Sequence, residues 1–165
     1  MNACFLLLGT NLGDKYNNLK QAREGLLQVV GDLLQSSGIY QTSAWGKENQ
    51  DDFLNQVLRF ETVLPPVELL AKCLAVEKEL GRVRFEKWGE RLIDIDILYY
   101  NSEVVDMPDL QIPHPYIQER RFTLVPLVEL APYFIHPKFE KDNSTLLAEC
   151  TDPLEVKRID SIENN

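Results

Sequence analysis

Between Leu92 and Tyr100 the chain reads Leu-Ile-Asp-Ile-Asp-Ile-Leu-Tyr-Tyr, an alternation with a period of two. Side chains of an extended segment point to opposite faces in turn, so this period specifies a β-strand. Ile93, Ile95, Ile97 and Tyr99 fall on one face, which other elements must cover. Leu92, Asp94, Asp96 and Leu98 fall on the other, with the two aspartates side by side, roughly 6.5–7 Å apart at Cα. A fold for this chain has to bury the isoleucine face and give the aspartates a polar setting.

Periodicity and punctuation place the other elements. Cys4 to Leu8, closed by Gly9, reads as a buried strand. Tyr16, Leu19, Ala22, Leu26, Leu27 and Val30 recur at helical spacing and predict a helix from Asp14 to Val30. Asn11 or Asp14 can cap it and Gly31 ends it. Gly38 to Thr42 and Leu54 to Val63 read as extended, separated by a polar loop, Ser43 to Asp52. Pro65-Pro66 opens a second helix that runs through Leu69, Leu70, Cys73, Val76 and Leu80 to Gly81. A short helix is predicted to start at Pro126, with Leu127, Val128 and Leu130, and the polar tail after Thr151 is expected to fray. The order strand, helix, strand, strand, helix, strand is that of a ferredoxin-like α+β sandwich, a mainly antiparallel sheet with helices packed on it. With 165 residues and no internal repeat, one domain over 1–165 is expected.

The aspartates then need a reason. Aspartate is a poor strand former, and here two stand between Leu92 and Leu98 on one face. Hard cations such as Mg²⁺ take carboxylate oxygens and complete their shell with water and phosphate. Just before the strand lies a basic segment with Arg82, Arg84, Lys87 and Arg91. Guanidinium forks suit phosphate oxygens, so metal-binding acids beside clustered arginines read as a nucleotide polyphosphate site. The blander readings are the wet face of an amphipathic strand and a solvated loop whose arginines pair with Glu77, Glu86 and Glu90.

Net charge limits the partners. The chain has 17 Lys plus Arg against 26 Asp plus Glu, a formal charge of −9. Long-range repulsion disfavours general nucleic-acid or anionic-membrane binding. No apolar run approaches the ~18 residues of a membrane span. Cys4, Cys73 and Cys150 are odd in number and lack metal-ligand spacing, so reduced thiols and a cytoplasmic setting are expected.

Other motifs are weaker. Gly9-Thr-Asn-Leu-Gly13 lacks the lysine of a phosphate loop and reads as a strand-to-helix turn. His114 and His136 have no helical i, i+4 partner that would suggest zinc. His114, in Ile-Pro-His-Pro115, suits either a phosphate donor or an ordinary loop histidine. Trp45, Phe53, Trp88 and Phe122 fall in or beside loops, where they could enclose a flat heterocycle or belong to the core.

Several segments belong together: Gly9-Thr-Asn-Leu-Gly-Asp14, Ile39-Tyr-Gln-Thr42, Phe53-Leu-Asn-Gln-Val57 and Leu80-Gly-Arg-Val-Arg84. They continue through Trp88-Gly-Glu-Arg91, Ile93 to Leu98, Ile112-Pro-His-Pro115, Arg120-Arg-Phe122 and Pro126 to Pro132. In this order they resemble the 6-hydroxymethyl-7,8-dihydropterin pyrophosphokinase family of folate biosynthesis. The resemblance implies transfer of the pyrophosphoryl group of ATP to the hydroxymethyl oxygen of the pterin, with release of AMP. By position, Asp94 and Asp96 would hold two Mg²⁺ ions. Phe53 and Phe122 would stack on the pterin, Asn55 and Thr42 would bind its edge, and Trp88 would line the site. Arg82, Arg84, Arg91, His114 and Arg120, with Ile97, would contact ATP, and Arg82 and Arg91 would share the catalytic work with the aspartates. The loops Ser43–Asp52 and Arg82–Glu90 would close over the substrates. A monomer binding only these small molecules is expected.

The chain departs from the family pattern in four places. Thr10 stands where serine is usual, and Ser43-Ala44-Trp45 lacks a proline common after the threonine. Arg121 replaces a glycine found in some members and offers another possible phosphate contact, while Asp109 replaces an arginine. Two other readings share the aspartates: a different Mg²⁺-dependent phosphotransferase or phosphohydrolase, and a ferredoxin-like small-molecule-binding module in which they are structural.

Overall fold

The alternating run forms an edge strand of a six-stranded sheet in the computed structural model, which describes residues 1–43, 52–81 and 92–159. In chain order the elements begin with β1 (Asn2–Thr10), α1 (Lys15–Val29), β2 (Gly31–Ser36), β3 (Ile39–Thr42), β4 (Phe53–Thr62), α2 (Pro66–Gly81) and β5 (Asp94–Tyr100). A small hairpin follows, β6 (Val105–Met107) and β7 (Leu110–Ile112), then a 3-10 turn (Ile117–Glu119), α3 (Arg121–Leu130), α4 (Asn143–Glu149) and β8 (Val156–Ile159). The sheet runs β5-β1-β4-β3-β8, and β2 also pairs with β4. All these pairs are antiparallel. The connections β1-α1-β3 and β4-α2-β5 each step over one strand, which is the split crossover expected of the ferredoxin-like sandwich.

Two apolar clusters hold the sheet from opposite faces. Leu6, Leu8, Phe60, Ile95 and Ile97 pack with Leu19 and Leu26 of α1 and Leu69 and Cys73 of α2. On the other face Phe5, Leu7, Val57 and Leu98 pack with Leu124 and Leu127 of α3 and Leu146 of α4. The chain is thus three layers deep, with α1 and α2 on one side and α3 and α4 on the other.

Three expectations need correction, and one element was missed. Tyr99 does not share the isoleucine face: Phe5 pairs with Tyr99 but Leu6 with Ile97, so Leu98 is an extra residue on β5. Such a bulge reverses the alternation beyond it. Tyr99 therefore joins Leu98 in the second cluster and Tyr100 joins the first. Each phenol finds a partner there, Tyr99 donating to Asn143 Oδ1 at 2.7 Å and Tyr100 to the Leu64 carbonyl at 2.6 Å. Second, Gly31 ends the helix as expected, but residues 31–36, given no element from the sequence, form β2, and Ser37 holds the break between β2 and β3. Its N–H donates to the Val57 carbonyl and its hydroxyl accepts from the Val57 N–H, both at 2.9 Å.

Third, α3 begins at Arg121, with Pro126 inside it. The proline forgoes the bond its N–H would give to the residue four positions back. The helix can start earlier because the Asp152 carboxylate, 31 residues on, accepts the Arg121 N–H at 3.0 Å. No local pattern could announce that cap. Fourth, the tail does not fray at Thr151, since Val156–Ile159 pairs with β3. Glu129 fastens this edge by accepting from Gly38 N–H at 3.0 Å and Tyr40 Oη at 2.7 Å, with Arg158 at 3.6 Å.

Candidate active site

The face that carries the second cluster changes character toward one end of the sheet. Leu7 lies between Val57 and Asp96, and the next row reads Asp94, Gly9, Asn55 across β5, β1 and β4. Apolar residues give way to an amide and two carboxylates within one pleat. Here a cavity of about 900 Å³ opens, lined by Thr42, Phe53, Asn55, Asp94, Asp96, Arg120 and Phe122. That volume suits a small-molecule ligand. The structure therefore brings together seven of the residues singled out from the sequence, contributed by β3, β4, β5 and the start of α3.

Gly9 leaves room for Asn55 at the floor of this cavity. A Cβ at that position would lie 2.8 Å from Asn55 Nδ2, which donates to the Leu8 carbonyl at 3.2 Å. Asn55 and Thr42 are both buried, and Thr42 Oγ1 has no hydrogen-bond partner among the described residues. A buried hydroxyl without a partner is costly, and a polar ligand edge would satisfy it. Arg120 crosses the cavity wall between two rings, its guanidinium carbon 5.0 Å from the centre of Tyr116 and 5.6 Å from that of Phe122. Stacking of this kind holds a guanidinium while leaving its edge for an anion.

The strand-to-helix turn positions β1 against β5. Thr10 Oγ1 donates to the Leu92 carbonyl at 2.7 Å and accepts from Asn18 Nδ2 at 3.1 Å. The segment from Gly9 to Gly13 is therefore a structural turn, and Gly13 adopts φ 69°, in the left-handed region that suits glycine. The outward N–H of Ile95, between the aspartates, donates to Glu77 of α2 at 2.6 Å.

A second, smaller cleft of about 250 Å³ lies at the outer edge of β5, lined by Leu70, Asp96, Ile97, Asp109 and His114 among others. Ile97 is buried in the first cluster and offers this cleft an apolar wall. His114 is fixed to the edge of β5, its N–H donating to the Leu98 carbonyl at 3.0 Å and its Nδ1 accepting from Tyr116 N–H at 3.1 Å. Its Nε2 therefore turns toward Asp96 Oδ2, 3.9 Å away. Burial lowers the His114 pKa, Asp96 opposes that shift and Arg120 adds to it.

Asp94 and Asp96 fit a hard divalent cation. Both border the cavity, Asp94 is exposed, and the Asp96 side chain keeps 41% of its surface accessible. No cluster of three or more His, Cys, Asp or Glu occurs among the described residues. Two carboxylates suit Mg²⁺, which retains several waters and takes phosphate oxygens for the rest.

Arg82, Arg84, Trp88 and Arg91, and most of the two predicted closing loops, lie outside the described residues. Arg121 is not free for phosphate: its guanidinium donates to the Asp152 and Cys150 carbonyls at 3.0 and 3.3 Å. The cavity also has walls that the sequence did not point to, the turn Tyr116–Glu119 and residues 149 to 154. The run 149–154 carries no motif, and only its distant pairing with Arg121 marks it.

The chain is similar to known proteins in sequence and in fold. Residues 5–132 match the family model described as 7,8-dihydro-6-hydroxymethylpterin-pyrophosphokinase (HPPK). The chain is 45% identical over 141 residues to the 2-amino-4-hydroxy-6-hydroxymethyldihydropteridine pyrophosphokinase of Aquifex aeolicus, covering 86% of this chain and 88% of that one. It is 44% identical over 133 residues to the protein of the same name from Methylorubrum extorquens, covering 80% and 84%. Among solved structures it resembles Plasmodium falciparum HPPK-DHPS wild type with pterin and p-hydroxybenzoate. The TM-score is 0.70 at 16% identity, over 90% of this chain and 43% of the longer one, a likeness of fold. By the family model and these relatives, the chain belongs to the 7,8-dihydro-6-hydroxymethylpterin-pyrophosphokinase family.

Proposed function

We infer that this chain transfers the pyrophosphoryl group of ATP to the hydroxymethyl oxygen of 6-hydroxymethyl-7,8-dihydropterin and releases AMP, the activity of its family. The observation that carries this reading is the position of Asp96, which borders both the large cavity and the smaller cleft. Two substrates bound on either side of one carboxylate would present donor and acceptor to each other. In this reading Phe53 and Phe122 offer ring faces to the pterin, and Asn55 and Thr42 recognise its polar edge. Ile97 and His114 line the nucleotide side, and Arg120 neutralises phosphate charge between the two. Arg82, Arg84, Arg91 and Trp88 add charge and cover from the segment before β5.

Asp94 and Asp96 are proposed to hold two Mg²⁺ ions. Bound Mg²⁺ would neutralise the triphosphate oxygens and withdraw charge from the transferring group. Phosphoryl-type transfer depends on alignment and charge neutralisation more than on a protein nucleophile. Asp94 and Asp96 are set side by side on one strand, and Glu77 and the Thr10 bond to Leu92 fix that strand at its start. The buried cavity floor favours transfer over hydrolysis by limiting water. We also propose a cytoplasmic monomer. The free thiols Cys4 and Cys73 are buried, and no described helix is long and apolar enough to cross a membrane.

The test is AMP formation from ATP in the presence and absence of the pterin. Wild-type protein should release AMP only with pterin and Mg²⁺, and Asp94→Asn or Asp96→Asn should lower kcat by two or more orders of magnitude. Release of ADP, or turnover indifferent to the pterin, overturns the reading.

A further inference from the structure

One wall of the large cavity is built by residues 149–154, the run that joins α4 to β8. It lies beyond residue 132, where the match to the family model ends. Arg121 fastens it at two points. Asp152 Oδ2 accepts the Arg121 N–H at 3.0 Å, and the Asp152 carbonyl accepts Arg121 Nε–H at 3.0 Å. The Cys150 carbonyl accepts a guanidinium N–H at 3.3 Å. Asp152 Oδ1 in turn accepts the Leu154 N–H at 3.0 Å and closes the turn that leads to β8.

Arg121 stands between Arg120 and Phe122, both in the same cavity. Its N–H opens α3, so the Asp152 carboxylate caps an otherwise open helix start and meets the favourable end of the helix dipole. The planar fork of arginine fixes two carbonyls at once, which an ammonium group cannot do in the same geometry. The first turn of α3 and the run 149–154 are thereby joined as one body. From Asp152 the chain continues to Val156, which pairs with Thr42. The run thus links Arg121, the neighbour of Phe122, to the strand that pairs with Thr42; it shares the large cavity with Phe122 and Thr42, two of the proposed pterin contacts, while the smaller cleft of Ile97 and His114 contains none of it.

We propose that Arg121 is a positioning residue and residues 149–154 a specificity wall, together setting the spacing between Phe122 and the far side of the pterin pocket. This rests on the reading of Phe122 as the residue that stacks on the pterin. Arg121 touches no substrate in this scheme; it acts through Phe122 and the wall.

Steady-state kinetics with each substrate varied separately tests it. Arg121→Ala should raise the pterin KM about tenfold, leave the ATP KM within twofold, and move the melting temperature by only a few degrees. Arg121→Lys should recover part of the loss. Asp152→Asn keeps an oxygen acceptor, folds more readily, and should give the same selective rise at smaller size. A pterin KM within twofold of wild type in both Arg121→Ala and Asp152→Asn, or equal rises for pterin and ATP, overturns the proposal. Phe122→Ala separates the two layers of inference. If it leaves the pterin KM unchanged, the stacking role itself fails, whereas a large loss there with silent Arg121 and Asp152 variants removes only the wall.

Discussion

A single missing side chain shapes the cavity floor. Gly9 lies in the row between Asp94 and Asn55, and the space it leaves is what allows Asn55 to sit there. Gly9→Ala would press a methyl group against the Asn55 amide, and since the amide is buried it must rotate or its strand must shift. Overpacking of this sort costs about 1–3 kcal/mol. The variant is expected to lose that much stability in urea and, more tellingly, to raise the pterin KM about tenfold with a smaller effect on ATP. Equal effects on both substrates would show that Asn55 does not serve the pterin side. Thr10 illustrates the opposite case, a residue in a motif whose hydroxyl is spent on holding β5 and α1.

At the scale of elements, legibility followed the range of the interactions. The strand β5 and the helices α1 and α2 were readable because their apolar periods are local and their caps and breakers adjoin them. The bulge at Leu98 was not, because it is decided by the register of β1, about ninety residues away in the chain. Nor were the early start of α3 and the strand β8, which depend on Asp152 and Glu129 finding distant partners. The site divides the same way. Asp94 and Asp96 stood out by their alternation, and Phe53, Asn55 and Phe122 through the family resemblance, whereas the wall at 149–154 is unpatterned and becomes visible only through Arg121. Glu129 offers a test of an element held by tertiary contacts. Burial, and then Glu129, raise the Tyr40 pKa to about 12, a sign that the phenol donates to the carboxylate. Glu129→Ala removes the acceptor for Tyr40 and Gly38 and the partner of Arg158. It should destabilise the protein by about 1–3 kcal/mol and speed hydrogen exchange at 156–159. Unchanged exchange there would mean that β8 does not need this fastening.

The molecule as a whole carries a built-in acid sensitivity at His136, which lines a groove together with His114. His136 is buried, its ring stacks on Phe139 at 4.5 Å, and Nδ1 accepts from the N–H groups of Lys138 and Phe139. Burial lowers its pKa to about 4, with Lys138 adding to the shift. The folded pKa lies below the unfolded value, so the unfolded chain takes up the proton first as pH falls. Stability should therefore be fully present above about pH 6.5 and drain away toward pH 4, by up to about 3 kcal/mol from this residue. Urea unfolding across that range should give a shallower profile for His136→Gln than for wild type. Parallel profiles would remove His136 as the cause.

The wall at 149–154 also sets an order of events during synthesis. Residues 1–130 contain all the strands and helices that present Asp94, Asp96, Asn55 and Phe122, and these leave the ribosome first. At about 5–20 residues per second, β1 to β5 and both carboxylates are synthesised several seconds before residues 149–154. Only when Asp152 arrives can Arg121 be bound and the pocket take its final width. On the proposal above, the segment that sets the width of the pocket is therefore made after both carboxylates.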